Sequence, residues 1–424
     1  MQELITTSNF AGGARLATMR TGTKELVNFR ASFLGGSRFS LENRDLPGLV
    51  ASMLLEGTKY HTKDELHALL ESAGINLNIT AGTSRVHISA TFLKEKSGLF
   101  VNTLHEILLE PSFDQKCYLS LRTRAIASIT ANKKDTKAVA LGTLTRKVFP
   151  FAHPHYIDEE IKRIELLQNT SVETLRHFYD HVYGLSTMKV SVVGDVEHKE
   201  FESLLKIAFD KWVSSNVKLV PDTSSAVNTR RKSDREIVTN IQDKESADAF
   251  FALPVRLDIR SLDLYALKVG LHILGGDFVS RLMSEVRVKQ GLTYGTSSTL
   301  WKVADGDTGL ILIWGTFAPT LLARGLSTTL AVLAKWINKG ITTEELARAK
   351  HALVGGYKVG MASSTGLVEV LQYMLEHDLP LSYADDYPGV IESLTIKQVN
   401  KAIKDYSSQG VFVVSTAGSL HNPK

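Results

Sequence analysis

Thirteen histidines and one cysteine, Cys117, are the side chains of this 424-residue chain best suited to hold a metal or act as a nucleophile. His177 and His181 stand four apart in Leu175-Arg176-His177-Phe178-Tyr179-Asp180-His181, so one helix face would carry both imidazoles, as zinc-binding helices do. Zinc needs three or four placed ligands. No Glu lies between these two histidines and no third ligand is near in sequence, so they read as a solvent-facing pair. His153 and His155 flank Pro154, which suggests an extended turn; His61 and His67 are six apart and out of phase for one helix face. Cys117 falls in an amphipathic helical stretch, where a buried, inert thiol is expected. There is no Gly-x-Ser-x-Gly elbow, and Gly275-Gly276 does not continue into a phosphate-binding loop.

A different pair stands out between Gly275 and Tyr294. Here a Gly-Gly turn opens a helix whose last turn holds Arg287, Gly291 ends that helix, and Tyr294 begins a strand. A guanidinium and a phenol at a helix–strand junction offer donors to a peptide carbonyl or a developing oxyanion. By spacing alone they are a surface arginine and a half-buried strand aromatic.

The elements that position these residues follow a repeated order. Ala14–Arg20 and Leu26–Leu34 are strand-like, and helical patterns follow from Pro47 to Gly57 and over Lys63–Ala73, with Gly74 as a C-cap. Ile75–Ile79 and Val86–Phe92 alternate as half-buried antiparallel strands. Helices then carry Leu99 to Leu108 and run from Phe113 to Lys133. The second half repeats the order: strand Ala249–Val255, helix Leu262–Leu274, strands Thr293–Lys302 and Thr308–Phe317, and helix Pro319–Asn338. A further helix opens at Thr342, which makes a capping box with Glu345. Strand–helix–strand–strand–helix–helix, twice, predicts two α+β domains with segregated helices on largely antiparallel sheets. The domains are placed at 1–213 and 236–424. The Ser-, Pro- and charge-rich stretch 214–235 is the linker, with Thr229-Arg230-Arg231-Lys232 read as solvated.

Composition narrows the function classes. Hydrophobic residues at 43%, with only 10 prolines, exclude collagen-like and disordered chains, and one cysteine excludes an internal disulfide. A net charge of +4 without a concentrated basic stripe argues against nucleic acid as partner. No basic-then-apolar leader is visible and no apolar run reaches about 18–20 residues, so no membrane association and a cytoplasmic location are expected.

The segments Gly275-Gly276, Ser280-Arg281-Leu282, Glu285-Val286-Arg287 with Gly291-Leu292-Thr293-Tyr294, and Gly340-Ile341-Thr342-Thr343-Glu344-Glu345-Leu346 with Ala349-Lys350 form one ordered set. Gly35-Gly36-Ser37-Arg38, Glu56-Gly57-Thr58 and Phe178-Tyr179 through Val192-Val193-Gly194-Asp195-Val196 form its counterpart in the first half. In order and spacing the chain resembles, over nearly its whole length, the pitrilysin / mitochondrial processing peptidase family of inverted-zincin metallopeptidases. The resemblance implies two homologous domains, each a sheet with helices packed on one side, forming half of a clamshell chamber. Catalytic members carry His-x-x-Glu-His on a helix shortly before a Gly-Thr pair and a distal Glu about 75 residues on. Setting Gly57-Thr58 on that pair puts Gly48, Ala51 and Ser52 where the histidines and the base belong, and the distal position near Ala127-Ser128. The zinc motif is degenerate, and no His-x-x-Glu-His or reversed form occurs in the chain. Arg287 and Tyr294 match the family's Arg–Tyr pair, which contacts substrate near the scissile bond. The resemblance thus implies a chain inactive alone, binding no metal or cofactor. It would serve as the non-catalytic subunit of a heterodimeric peptidase whose homologous partner carries zinc, with a peptide as substrate. The rival expectations are a scaffold subunit like the core proteins of a respiratory complex, and a peptide-binding homodimer without cleavage.

Overall fold

The computed structural model describes residues 1–212, 217–220, 235–304, 306–408 and 410–419. Most of the linker expected at 214–235, with its basic cluster at 229–232, lies outside the described residues.

The chain divides into two compact units. The first comprises Met1–Ala127, Ile161–Val220 and Tyr357–Asp386. It holds strands β1 (Ile5–Asn9), β2 (Arg15–Arg20), β3 (Leu26–Leu34), β4 (Asn76–Ala81), β5 (Arg85–Leu93) and β6 (Lys189–Gly194) in the sheet order β1-β2-β6-β3-β5-β4. Only β2 and β6 run parallel. Register pairs Phe29 with Ala90, Ala31 with Ile88 and Phe33 with Val86, so the period-2 pattern of β3 and β5 lines one apolar face. On that face Phe100, from the helix Ser97–Leu109, stacks on Phe92 at 4.2 Å and meets Phe29 edge-on at 4.9 Å. The alternate residues of β3, Asn28, Arg30 and Ser32, are polar. Against them lies the helix Ser364–Glu376: Gln372 donates to Ser32 Oγ at 3.0 Å and Arg30 pairs with Glu369 at 3.3 Å.

The second unit comprises Ser128–Glu160, Pro221–Gly356 and Tyr387–Lys424. Its strands are β7 (Glu236–Asn240), β8 (Ala247–Val255), β9 (Thr293–Trp301), β10 (Gly309–Phe317) and β11 (Val413–Gly418), in the order β7-β11-β8-β10-β9. Here only β7 and β11 are parallel. This reproduces the run β2-β6-β3-β5-β4 strand for strand, with β1 as the first sheet's additional edge. The repeated element order of the sequence is thus a repeated sheet topology. Phe250 and Ala252 of β8 with Leu310 and Leu312 of β10 form a core against Val139, Ala140, Leu144 and Val148 of the helix Thr136–Val148. Asp248, buried on the same face, accepts from Thr136 Oγ1 at 2.5 Å and from Trp314 Nε1 at 2.7 Å.

The units are not the contiguous stretches 1–213 and 236–424. The helix Thr136–Val148 comes from the first half but covers the second sheet, on β11, β8 and β7. The helix Ser364–Glu376 comes from the second half and covers the equivalent strands β6, β3 and β2 of the first sheet. The central strands of each sheet are buried on both faces, and linear periodicity states that a helix has an apolar stripe without stating which sheet receives it. Two helix ends also differ from expectation. The helix opened by Pro47 spans Leu46–Met53 and stops before Gly57, whose φ is +124°. The one expected from Pro319 begins with a 3-10 turn and is α-helical over Leu322–Lys339, ending at Gly340 with φ +67°.

Candidate functional site

The Arg287 segment is built from the helix Leu262–Gly275, which Ser261 caps at Leu264 N. At its end a Cβ on Gly275 would lie 2.7 Å from the backbone nitrogen of Ser298 on β9, and one on Gly276 would lie 2.4 Å from the His272 ring. Only glycine lets the chain turn this close to the sheet. Asp277 organises the turn: Oδ1 accepts from Val279 N at 3.0 Å, and its carbonyl accepts from Ser280 Oγ at 2.6 Å. Leu282, Met283 and Val286 then anchor the next helix, which is wound as a π-helix over Met283–Lys289. Gly291, at φ +62°, closes it by donating to the Arg287 carbonyl at 2.9 Å.

Tyr294 is not the half-buried strand aromatic that spacing suggests. β9 pairs Thr293 with Phe317 and Gly295 with Thr316, so Tyr294 is an extra residue in the ladder. Such a bulge re-aims the side chain. Tyr294 is 85% exposed, and its ring lies 5.5 Å from the Arg287 guanidinium. A third group joins them. The Phe278 ring is 5.9 Å from the same guanidinium and is 78% exposed. Sequence reading missed Phe278, although an aromatic directly after Gly-Gly-Asp is a signal, since a turn residue has no core to fill.

Arg287 is half-buried and has no carboxylate partner among the described residues. The acids on its own segment are occupied. Glu285 pairs with Lys289 at 2.6 Å, and Asp277 holds its turn and lies 3.4 Å from His272. An uncommitted guanidinium with a phenol beside it supplies several N–H donors and one O–H donor.

In the first unit, Gly48, Ala51 and Ser52 lie on the helix Leu46–Met53. Gly48 is exposed, with nothing within 4 Å of where a Cβ would sit, and Ala51 is buried. Neither carries a donor atom, and the Ser52 hydroxyl donates to the Gly48 carbonyl at 2.9 Å. These three residues do not fit a zinc ion. Ala127 and Ser128, at the distal position, are exposed on the helix Gln115–Asn132. Glu56 is buried but bound by Lys63 at 2.7 Å and Arg124 at 3.2 Å.

Other expected features resolve as structural. His177 and His181 are exposed and stacked at 4.0 Å on one helix. His153 and His155 sit in a turn but are buried, packed on Phe149, so they are core histidines. Cys117 is only half-buried and borders a cleft of about 690 Å³ with Glu56, His61, Lys63 and Asp114. Burial and the neighbouring Asp114 carboxylate push its thiol above the ordinary cysteine range, which keeps it protonated and poorly nucleophilic.

Residues 15–154 match the model described as insulinase, peptidase family M16, and residues 169–353 match that of the peptidase M16 inactive domain. The chain belongs to the M16 peptidase family. The family resemblance is borne out, and within the M16 family this chain is of the inactive type, without the zinc motif. An M16 relative from Helicobacter pylori named non-peptidase homolog YmxG is 26% identical over 384 residues, covering 89% of this chain and 85% of its own. A Mycobacterium leprae relative named an uncharacterized zinc protease is 25% identical, over 82% and 77% of the two chains. Among solved structures, a peptidase M16 inactive domain from Pseudomonas fluorescens superposes with a TM-score of 0.87 at 22% identity, covering 99% of both chains. A protease from Helicobacter pylori gives 0.84 at 16% identity, covering 98% of this chain and 99% of its own. At such identities these structures establish the M16 fold. No helix among the described residues is long and apolar enough to cross a membrane.

Proposed function

We propose that this M16 chain is the non-catalytic subunit of a two-chain zinc metallopeptidase. A homologous partner would carry His-x-x-Glu-His and the zinc ion. This chain would contribute Arg287 and Tyr294, which donate hydrogen bonds to the substrate carbonyl and to the oxyanion that grows from it. The observation that carries the reading is the state of Arg287: its charge is free of any carboxylate among the described residues and sits beside an exposed phenol on a bulge. A scaffold needs no half-buried arginine left without a carboxylate partner among the described residues. A cytoplasmic location belongs to the same proposal, supported by the single cysteine.

The test is hydrolysis of an internally quenched fluorescent peptide by this chain alone, by a co-encoded homologue with an intact motif, and by the mixture. Silence from each chain alone with cleavage on mixing is the expected result. Full-rate cleavage by the homologue unaided would reduce this chain to a scaffold. Migration of the isolated chain as a stable homodimer that binds peptide, with no cleavage on mixing, would replace the proposal with a peptide-binding role.

A further inference from the structure

The Phe278 ring fills no core. It is 78% exposed, it follows a turn already held by Asp277 and Ser280, and its neighbour Val279 is 56% exposed. Its ring faces the Arg287 guanidinium at 5.9 Å, while Tyr294 faces the same group at 5.5 Å. Two rings within about 6 Å of one guanidinium hold it through their quadrupoles and restrict its rotamers. They do this without accepting its hydrogen bonds, so the N–H donors stay available. A carboxylate partner would have taken those donors.

We infer that Phe278 is a positioning and specificity-determining residue: it orients Arg287 and forms an apolar platform that selects peptides with a large aliphatic or aromatic side chain beside the carbonyl that Arg287 binds. The inference rests on the peptide-binding role proposed above for Arg287 and Tyr294, and it names the substrate class. The occupant follows from the chemistry of the three groups. The guanidinium, with no carboxylate partner among the described residues, takes an oxygen acceptor. The exposed ring of Phe278 and the side chain of Val279 lose water most favourably against an apolar group. A carbonyl with an apolar side chain next to it, as an extended peptide presents, satisfies both at once. A ligand with an acidic side chain at that point would place a strongly hydrated group against the platform.

The test uses the full chain alone, so that its outcome does not depend on a partner. Two fluorescein-labelled Gly/Ser nonapeptides, identical except for a central Leu or a central Asp, are titrated by fluorescence anisotropy. The wild-type chain is expected to bind the Leu peptide about tenfold more tightly, as burial of one large aliphatic side chain warrants. Phe278→Ala should abolish that preference, and Phe278→Trp should retain it. Phe278→Leu separates the two roles: it keeps the apolar platform and hence the preference, but weakens both peptides about threefold through the lost ring–guanidinium contact. Arg287→Ala should weaken both peptides alike. A preference that survives Phe278→Ala, equal binding of the two peptides by the wild type, or binding of neither would overturn the inference. The two readings fail separately. Discrimination that disappears in Phe278→Ala, with no cleavage on mixing with the homologue, removes the two-chain peptidase and leaves the specificity. Cleavage on mixing with equal rates for Leu and Asp peptides does the reverse.

Discussion

Arg281 grips Glu345 through two parallel hydrogen bonds, Nε to Oε1 and Nη2 to Oε2, both 2.7 Å, and Nη2 also donates to the Gly340 carbonyl at 2.8 Å. The same carboxylate accepts from Thr342 N at 2.7 Å, completing the capping box at the start of the helix Thr343–Met361. One acidic side chain therefore caps a helix and fixes Arg281, two residues before the π-helix that bears Arg287. Burial pushes the Glu345 carboxyl up, but the hydrogen bonds from Arg281 and Thr342 outweigh it and leave the group below its usual range. Two residues that carried the family resemblance are thus structural supports for a third.

Arg281→Ala should destabilise the second unit by about 2–4 kcal/mol, because it strands a mostly buried carboxylate. Arg281→Lys should recover less than half of this, since an ammonium cannot reproduce the bidentate fork. Urea unfolding followed by circular dichroism measures both. Equal stability of the alanine variant and the wild type would show that the pair contributes nothing net.

Acid stability of the first unit should depend on Glu376. Burial raises its pKa, but hydrogen bonding to His87, Ser32 and Gln372 wins and brings it down from 4.5 to about 2. A carboxyl depressed on folding contributes stability that is fully present above the unfolded pKa and is lost as pH falls through the folded one. The window is therefore about pH 5 to 2, and the contribution at neutral pH is on the order of 3 kcal/mol. Glu376→Gln should lower stability at pH 7 and flatten the acid limb of a thermal-unfolding series across that window. A variant with an unchanged acid limb would remove Glu376 as its source.

Much of this architecture is legible in the residues. Alternation in Val86–Phe92 and Thr308–Phe317, the capping pair Thr342/Glu345 and the stop at Gly340 report strands and helix ends because they encode local backbone geometry. The exchange of the helices Thr136–Val148 and Ser364–Glu376 was not legible. An apolar stripe such as Val139, Ala140, Leu144 and Val148 fits either of two homologous sheets. Arg287 and Tyr294 stand out through the family resemblance, but the bulge that turns Tyr294 outward depends on pairing with β10, over 20 residues away. Phe278 was missed for a similar reason: its relation to Arg287 exists only once Gly275 and Gly276 have folded the chain back.

Those two glycines carry a prediction of their own. Gly275→Ala places a methyl 2.7 Å from the Ser298 backbone nitrogen, and backbone in a sheet cannot yield cheaply. The cost should be about 1–3 kcal/mol, as for other overpacked sites. Because the displaced segment leads to Phe278, the variant should also weaken peptide binding. Gly48→Ala is the control: its Cβ meets open space on a helix, and it should leave stability unchanged or raise it by about 0.5–1 kcal/mol.

Restoring the motif by Gly48→His, Ala51→Glu and Ser52→His should yield only weak, substoichiometric zinc. Both imidazoles would share one helix face, but the distal position at Ala127-Ser128 supplies no carboxylate. Adding Ala127→Glu should raise the zinc content toward one per chain, measured by atomic absorption after gel filtration. Stoichiometric zinc in the triple variant would mean that another side chain of this chain completes the site.

Tyr294→Phe separates function from stability. The ring is 85% exposed, and no hydrogen bond from its hydroxyl is recorded among the described residues, so unfolding free energy should change by less than about 0.5 kcal/mol. The ring stays in place, so its contact with Arg287 should persist. If the hydroxyl donates to an oxyanion in the two-chain complex, kcat should fall by about 10²–10³, the usual cost of one such donor, with little change in KM. Loss of binding in place of rate would assign the hydroxyl to ground-state recognition. An unchanged kcat and KM would take Tyr294 out of the site and leave its exposure unexplained. Arg287→Ala tested beside it should impair both constants, because a guanidinium that holds the carbonyl in the bound peptide also meets it in the transition state.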